Sequence, residues 1–112
     1  MDILNALQAP RRREILRTIW NAERSAGEIR ASQPGVTFGA VSQHLRVLER
    51  AGLVSKRNEG TYHYYVARKE SLGPLRQWLE QMWDDALYRL KIQAELEEAR
   101  RGPKSQQRRR QK

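Results

Sequence analysis

A chain of 112 residues has room for one domain, and the absence of cysteine excludes disulfides, thiolate zinc sites, iron–sulfur ligation and cysteine nucleophiles together. The net charge of +9 is uneven: residues 1–34 hold six basic and four acidic residues (+2), 35–69 six and two (+4), 70–99 three and seven (−4), and 100–112 seven and none (+7). The start, Met-Asp-Ile-Leu, lacks the basic and apolar regions of a signal peptide and no apolar run approaches membrane-spanning length, so a cytoplasmic protein without a membrane partner is expected.

Ile3, Leu4 and Leu7 recur at helical spacing in a segment too short to be stable unless it packs on another element. Pro10 suits the first position of a second helix, in which Ile15, Leu16, Ile19 and Trp20 form an apolar stripe behind Arg11, Arg12 and Arg13. Arginines at a helix N-terminus oppose the helix dipole; a nearby phosphate and plain solvent exposure each account for them. Ser25-Ala-Gly-Glu28 has the form of a capping box opening a short helix through Ile29 and Arg30, and Gln33 to Val36 is the turn that follows.

The chain is organised around Thr37 to Gly52. The Thr37 hydroxyl caps the start of a helix and Gly52 stands where a left-handed residue ends it. Phe38, Val41, Leu45 and Leu48 share one face at the 3.6-residue period, which is the core face. The opposite face carries Gly39, Gln43, Arg46 and Arg50, flanked by Ala40 and Ser42. Small and hydrogen-bonding residues near a helix N-terminus, with arginines further on, suit a major groove. Two short helices joined by a Pro/Gly turn make a helix-turn-helix.

After Gly52 the period changes to two. Leu53 to Asn58, a Glu59-Gly60 turn and Thr61 to Val66 read as a β-hairpin, a wing with Lys56 and Arg57 near its tip and Thr61 and His63 opposite. Basic residues there would enter a minor groove or clamp phosphates. Ser71 is expected to cap one long final helix with Pro74 in its first turn and Leu75, Leu79, Met82, Trp83, Ala86, Leu87 and Leu90 along one stripe, widened by Trp78. That is more apolar surface than a small winged domain covers, and a homodimer buries it economically. From residue 100 onward the chain has charge of one sign and no large apolar residue; it should be a disordered basic tail, 100–112, behind a domain spanning 1–99.

In this order and spacing the motifs resemble ArsR-type winged helix-turn-helix repressors over roughly residues 3–95. Ala6-Leu-Gln-Ala-Pro-Arg-Arg-Arg-Glu-Ile-Leu16 resembles the family's opening, Ala26-Gly-Glu-Ile29 its first helix-turn-helix segment, Val41-Ser-Gln-His-Leu-Arg-Val-Leu48 its recognition signature, and Ala51-Gly-Leu-Val54 the lead into its wing. The implied fold is mainly α with a small β-hairpin, with N- and C-terminal dimerisation helices contributing Ile3, Leu4, Leu7, Leu79, Met82, Trp83, Leu87 and Leu90 to the interface. By position, Ser42, Gln43 and Arg46 would be recognition-helix contacts to double-stranded DNA, with Thr37 and Gly39 near its backbone and Lys56 and Arg57 on the wing. His44 matches the family's histidine but lies at the edge of the core face, which favours a packed or phosphate-bonded role over base readout.

Metal-sensing members use cysteines, absent here, or an Asp/His pattern in the last helix. That segment has Asp84 and Asp85 but no histidine, and adjacent carboxylates point about 100° apart on a helix. No metal and no cofactor is therefore expected, which leaves plain autorepression or a small-molecule or protein effector. With two histidines and no Gly-rich phosphate loop there is no assembled catalytic constellation, so no enzyme is expected. A winged-helix module that docks protein is the alternative to a DNA-binding repressor, but it would not need +4 across residues 35–69.

Overall fold

The computed structural model describes residues 2–101, the side chains of residues 86–88 and 101 excepted. The opening helix α1 (Ile3–Ala6) is a single turn that two things hold in place: burial of Ala6 and Leu7 against the core, and arginines from the next helix. In α2 (Pro10–Thr18), Pro10 occupies the first turn as expected. Arg12 donates through Nε to the Ala6 carbonyl at 2.7 Å and Arg13 through Nη1 to the Leu7 carbonyl at 2.7 Å. The arginine run therefore satisfies carbonyls left open where α1 ends, where positive charge also suits the helix dipole. Arg11 turns the other way and donates to Oε1 of the buried Gln33 at 3.0 Å.

The capping box forms as read: the Ser25 N–H donates to Glu28 Oε1 at 2.8 Å and the Glu28 N–H to Ser25 Oγ at 3.1 Å, opening α3 (Ala26–Ala31). The next helix, α4 (Phe38–Arg50), starts on the bond from the Ala40 N–H to Thr37 Oγ1 at 3.1 Å. It ends in a Schellman motif, with Gly52 at φ +80°, its N–H on the Glu49 carbonyl and the Leu53 N–H on the Leu48 carbonyl.

A two-residue strand, β1 (Arg24–Ser25), pairs with the hairpin of β2 (Val54–Glu59) and β3 (Tyr62–Ala67) in the antiparallel order β1-β3-β2. Glu59 pairs with Tyr62, so the turn is Gly60-Thr61 rather than Glu59-Gly60. The reason lies in backbone sterics. A tight hairpin turn of this kind needs positive φ at its first central residue, which Gly60 supplies at +61° and a glutamate would adopt only under strain.

The single final helix is replaced by three pieces: a 3₁₀ turn (Lys69–Leu72), α5 (Leu75–Asp84) and α6 (Ala86–Arg101). Ser71 lies inside the 3₁₀ turn and Pro74 precedes α5 without a side-chain cap. Asp85 is extended, at φ −84° and ψ 116°, and divides α5 from α6. The Trp83 carbonyl accepts a hydrogen bond from Arg89 Nε across the break. Apolar spacing continues on both sides of Asp85, so periodicity alone could not locate it.

The core joins Ile15, Leu16 and Ile19 to Ile29, to Val41, Leu45 and Leu48 of α4, and to Leu53, Leu72 and Leu79. Trp20 and Trp83 meet edge to face at 4.8 Å, and Trp20 Nε1 donates to Glu80 at 3.0 Å. Phe38, expected on the core face, is 52% exposed. It is the first residue of its helix, and the core lies beneath the turns that follow.

Three residues expected at a dimer seam, Leu7, Leu79 and Trp83, are instead buried in the protomer's own core. Packing of α1 and α5 into that core consumes part of the stripe that periodicity assigned to a partner. Ile3 and Met82 are half-buried, Leu4 and Leu90 are exposed, and the side chain of Leu87 lies outside the described residues. So does the tail from residue 102, whereas residues 100 and 101 belong to α6. Among the described residues no helix is long and apolar enough to cross a membrane.

Candidate nucleic-acid interface

The outer face of α4 presents Gly39, Ser42, Gln43, Arg46 and Arg50 to solvent, because Val41, Leu45 and Leu48 hold the opposite face in the core. Arg46 Nη1 lies 3.4 Å from Gln43 Oε1 one turn back, so the two side chains extend together. A Cβ added at Gly39 would meet nothing within 4 Å, so nothing in the described fold requires a glycine there. The Thr37 hydroxyl accepts the capping bond from Ala40.

Between α4 and the wing lies a cleft of about 210 Å³ lined by Ser42, Arg46, Glu49, Lys56, His63 and Tyr65. Strand register decides which wing residues reach it. Lys56 pairs with Tyr65 and Asn58 with His63, and residues opposite one another in an antiparallel pair share a face. That face looks toward α4. Arg57 pairs with Tyr64 on the reverse side, so two neighbouring basic residues that the sequence sets side by side point apart. The His63 ring nitrogen Nδ1 lies 2.6 Å from Asn58 Oδ1, and Thr61 is in the turn. Burial, and the Glu49 carboxylate after it, raise the pKa of Tyr65 and keep its phenol protonated.

Arg57 is held on the reverse face. Its guanidinium donates to both carboxylate oxygens of Glu23, at 3.0 and 2.8 Å, approaches Glu59 at 3.3 Å and stands 4.7 Å over the Tyr64 ring. The hydrogen bond from Arg57 lowers the Glu23 pKa, and the two carboxylates raise that of Arg57 further above its ordinary value. Glu23 carried no signal in the sequence. It precedes β1, a strand too short for any period, and lies 34 residues from its partner.

His44 is half-buried on the side of α4 toward α2. Burial, then the positive charges of Arg12 and Arg11, hold its pKa below the ordinary value, so the ring is neutral near pH 7. Its Nδ1 is buried without a hydrogen-bond partner among the described residues. No group of three His, Asp or Glu side chains that could hold a metal ion occurs among the described residues.

A helix with a polar, arginine-bearing outer face, set by a helix-turn-helix and flanked by a hairpin with a lysine facing the same cleft, defines a winged helix-turn-helix DNA-binding domain. Residues 9–56 match the bacterial regulatory protein, arsR family. The chain is 38% identical over 82 residues to the HTH-type transcriptional regulator Rv2034 of Mycobacterium tuberculosis, covering 73% of this chain and 76% of that protein. It is 27% identical over 78 residues to the transcriptional repressor SdpR of Bacillus subtilis, covering 70% of this chain and 86% of that one. The homodimeric winged helix-turn-helix DNA-binding domain Mb0332 from Mycobacterium bovis superposes with a TM-score of 0.60 at 32% identity, covering 74% of this chain and 76% of that one. The protein belongs to the ArsR family of bacterial transcriptional regulators, which bind DNA and are not enzymes.

Proposed function

We propose that the protein is a sequence-specific repressor that binds a dyad-symmetric operator as a homodimer and responds to something other than a metal. The observation that carries this reading is one polar surface running from Gly39 through Ser42, Gln43 and Arg46 into the cleft that Lys56 faces. Ser42, Gln43 and Arg46 read base edges in the major groove, and the backbone beside Thr37 and Gly39 approaches the phosphates. Lys56 serves the wing. Arg57 joins it on DNA by exchanging Glu23 for phosphate, and His44 packs behind the helix and sets its seat on α2.

The dimer surface is built from what the protomer leaves uncovered: Leu4 at 56% exposure, Trp78 at 46% and Leu90 at 67%. Similarity to a homodimeric domain and to a repressor supports this arrangement. Two recognition helices related by a dyad address half-sites one helical turn, about 34 Å, apart. Occupancy of such a site across a promoter excludes RNA polymerase. The absence of cysteine supports an effector other than a soft metal.

Selection of binding sites from random DNA, followed by a salt series on the selected site and on scrambled DNA with the mass in solution recorded, tests the proposal. A dimer that keeps a dyad-symmetric, footprinted site at physiological salt is expected. Weak binding that is equal on all DNA and vanishes with salt would overturn it and favour the protein-docking alternative.

A further inference from the structure

Phe38 is an aromatic residue for which the described fold has little use. It opens α4, keeps 52% of its surface exposed, and is followed by Gly39, where an added Cβ would meet no other part of the described fold within 4 Å. Arg30 of α3 places its guanidinium over the ring, 5.7 Å from its centre, and about half of the residue stays open to solvent. Ser42, four residues on and exposed, lies on the same side of the helix one turn further along.

An exposed aromatic ring at the start of a helix forgoes most of the stabilisation that burial would bring. In a recognition helix the same place is the point of entry to the major groove, where N-terminal residues meet base edges. The groove offers one apolar group, the C5-methyl of thymine, and phenylalanine is among the side chains suited to contact it. Gly39 keeps the adjoining turn thin enough for the ring to reach in. Arg30, on the helix that crosses the backbone, brings a cation beside the same strand.

We infer that Phe38 is a specificity-determining residue that packs against a thymine methyl in each half-site. This rests on the operator reading above, and the experiment separates the two. On the selected site, each thymine is replaced in turn by deoxyuridine, which keeps the pairing and removes only the methyl. Wild-type protein should lose about fourfold in affinity at one thymine per half-site, the equivalent of about 0.8 kcal/mol for one buried methyl-sized group. Phe38→Ala should bind the thymine site no better than its deoxyuridine counterpart. Phe38→Leu, which keeps an apolar side chain, should retain part of the penalty and guards against a variant that merely misfolds. A wild-type protein indifferent to deoxyuridine everywhere, or a Phe38→Ala variant that keeps the full penalty, overturns the inference while leaving the operator reading intact. Failure to select any sequence overturns both.

Discussion

Gly39→Ala sets two effects of opposite sign against each other. Glycine within a helix costs up to about 1 kcal/mol relative to alanine, and less near an end, so about 0.5 kcal/mol is expected at this second helical residue. The new Cβ meets nothing within 4 Å, so no steric term offsets the gain. Thermal unfolding at fixed protein concentration should show a rise of about 2–4 °C. In the docking proposed above, in which the backbone beside Gly39 approaches the DNA, the same methyl group stands between the two. If it holds the helix back enough to spoil one two-point base contact, affinity for the selected site falls by about 1–3 kcal/mol, roughly 5- to 150-fold. Equilibrium binding measured alongside the melting curve reads both numbers on one sample. A stabilised variant that binds as tightly as wild type refutes close approach at Gly39. A destabilised one shows that the glycine serves the fold, and removes the argument from open space.

Glu23→Gln should free Arg57 of the ion pair it must give up on DNA, tightening binding to specific and random DNA alike with little change in salt slope. Arg57→Ala should weaken both and make the slope shallower by about one unit; an unchanged slope in Arg57→Ala would take Arg57 out of the phosphate contacts. Leu79→Ala empties a fully buried site and should cost about 2–5 kcal/mol of stability, whereas Leu90→Asp, on the surface, should leave each protomer folded and raise the dimer dissociation constant seen by sedimentation. If Leu90→Asp sediments as wild type, the seam does not include that face of α6. Because the folded-state pKa of His44 is depressed, the unfolded chain takes up the proton more readily. Its contribution is complete above the ordinary value of 6.5 and is lost as pH falls through the lowered folded value. Melting temperatures of His44→Gln should therefore fall less than those of wild type between neutral and mildly acid pH, and parallel curves would mean that His44 does not titrate in this window.

Much of the candidate site was legible because it is local. The Thr37 cap, the Ser25–Glu28 capping box and the left-handed Gly52 each depend on residues three or four apart or on one backbone angle, and all three formed as read. The polar face of α4 followed from a period of 3.6 residues, since burial of Val41, Leu45 and Leu48 dictates which side chains remain outside. Phe38 shows where that reasoning stops. Period says which way a side chain points, and the length of the neighbouring elements says whether anything lies there to cover it.

The sequence by itself determined the first four helices and the wing hairpin in their order, the caps of the recognition helix and the family to which the motifs belong, because these depend on short-range spacing. The break at Asp85 and the short strand β1 left no such trace. Only the tertiary structure decided what distant residues do to one another. Register turned Lys56 toward α4 and Arg57 toward Glu23; Arg12 and Arg13 found the carbonyls at the end of α1; Leu79 and Trp83 went to the core rather than to a partner. In each case the deciding energy comes from a contact between segments whose separation along the chain leaves no periodic trace, and it exists only once the chain has folded.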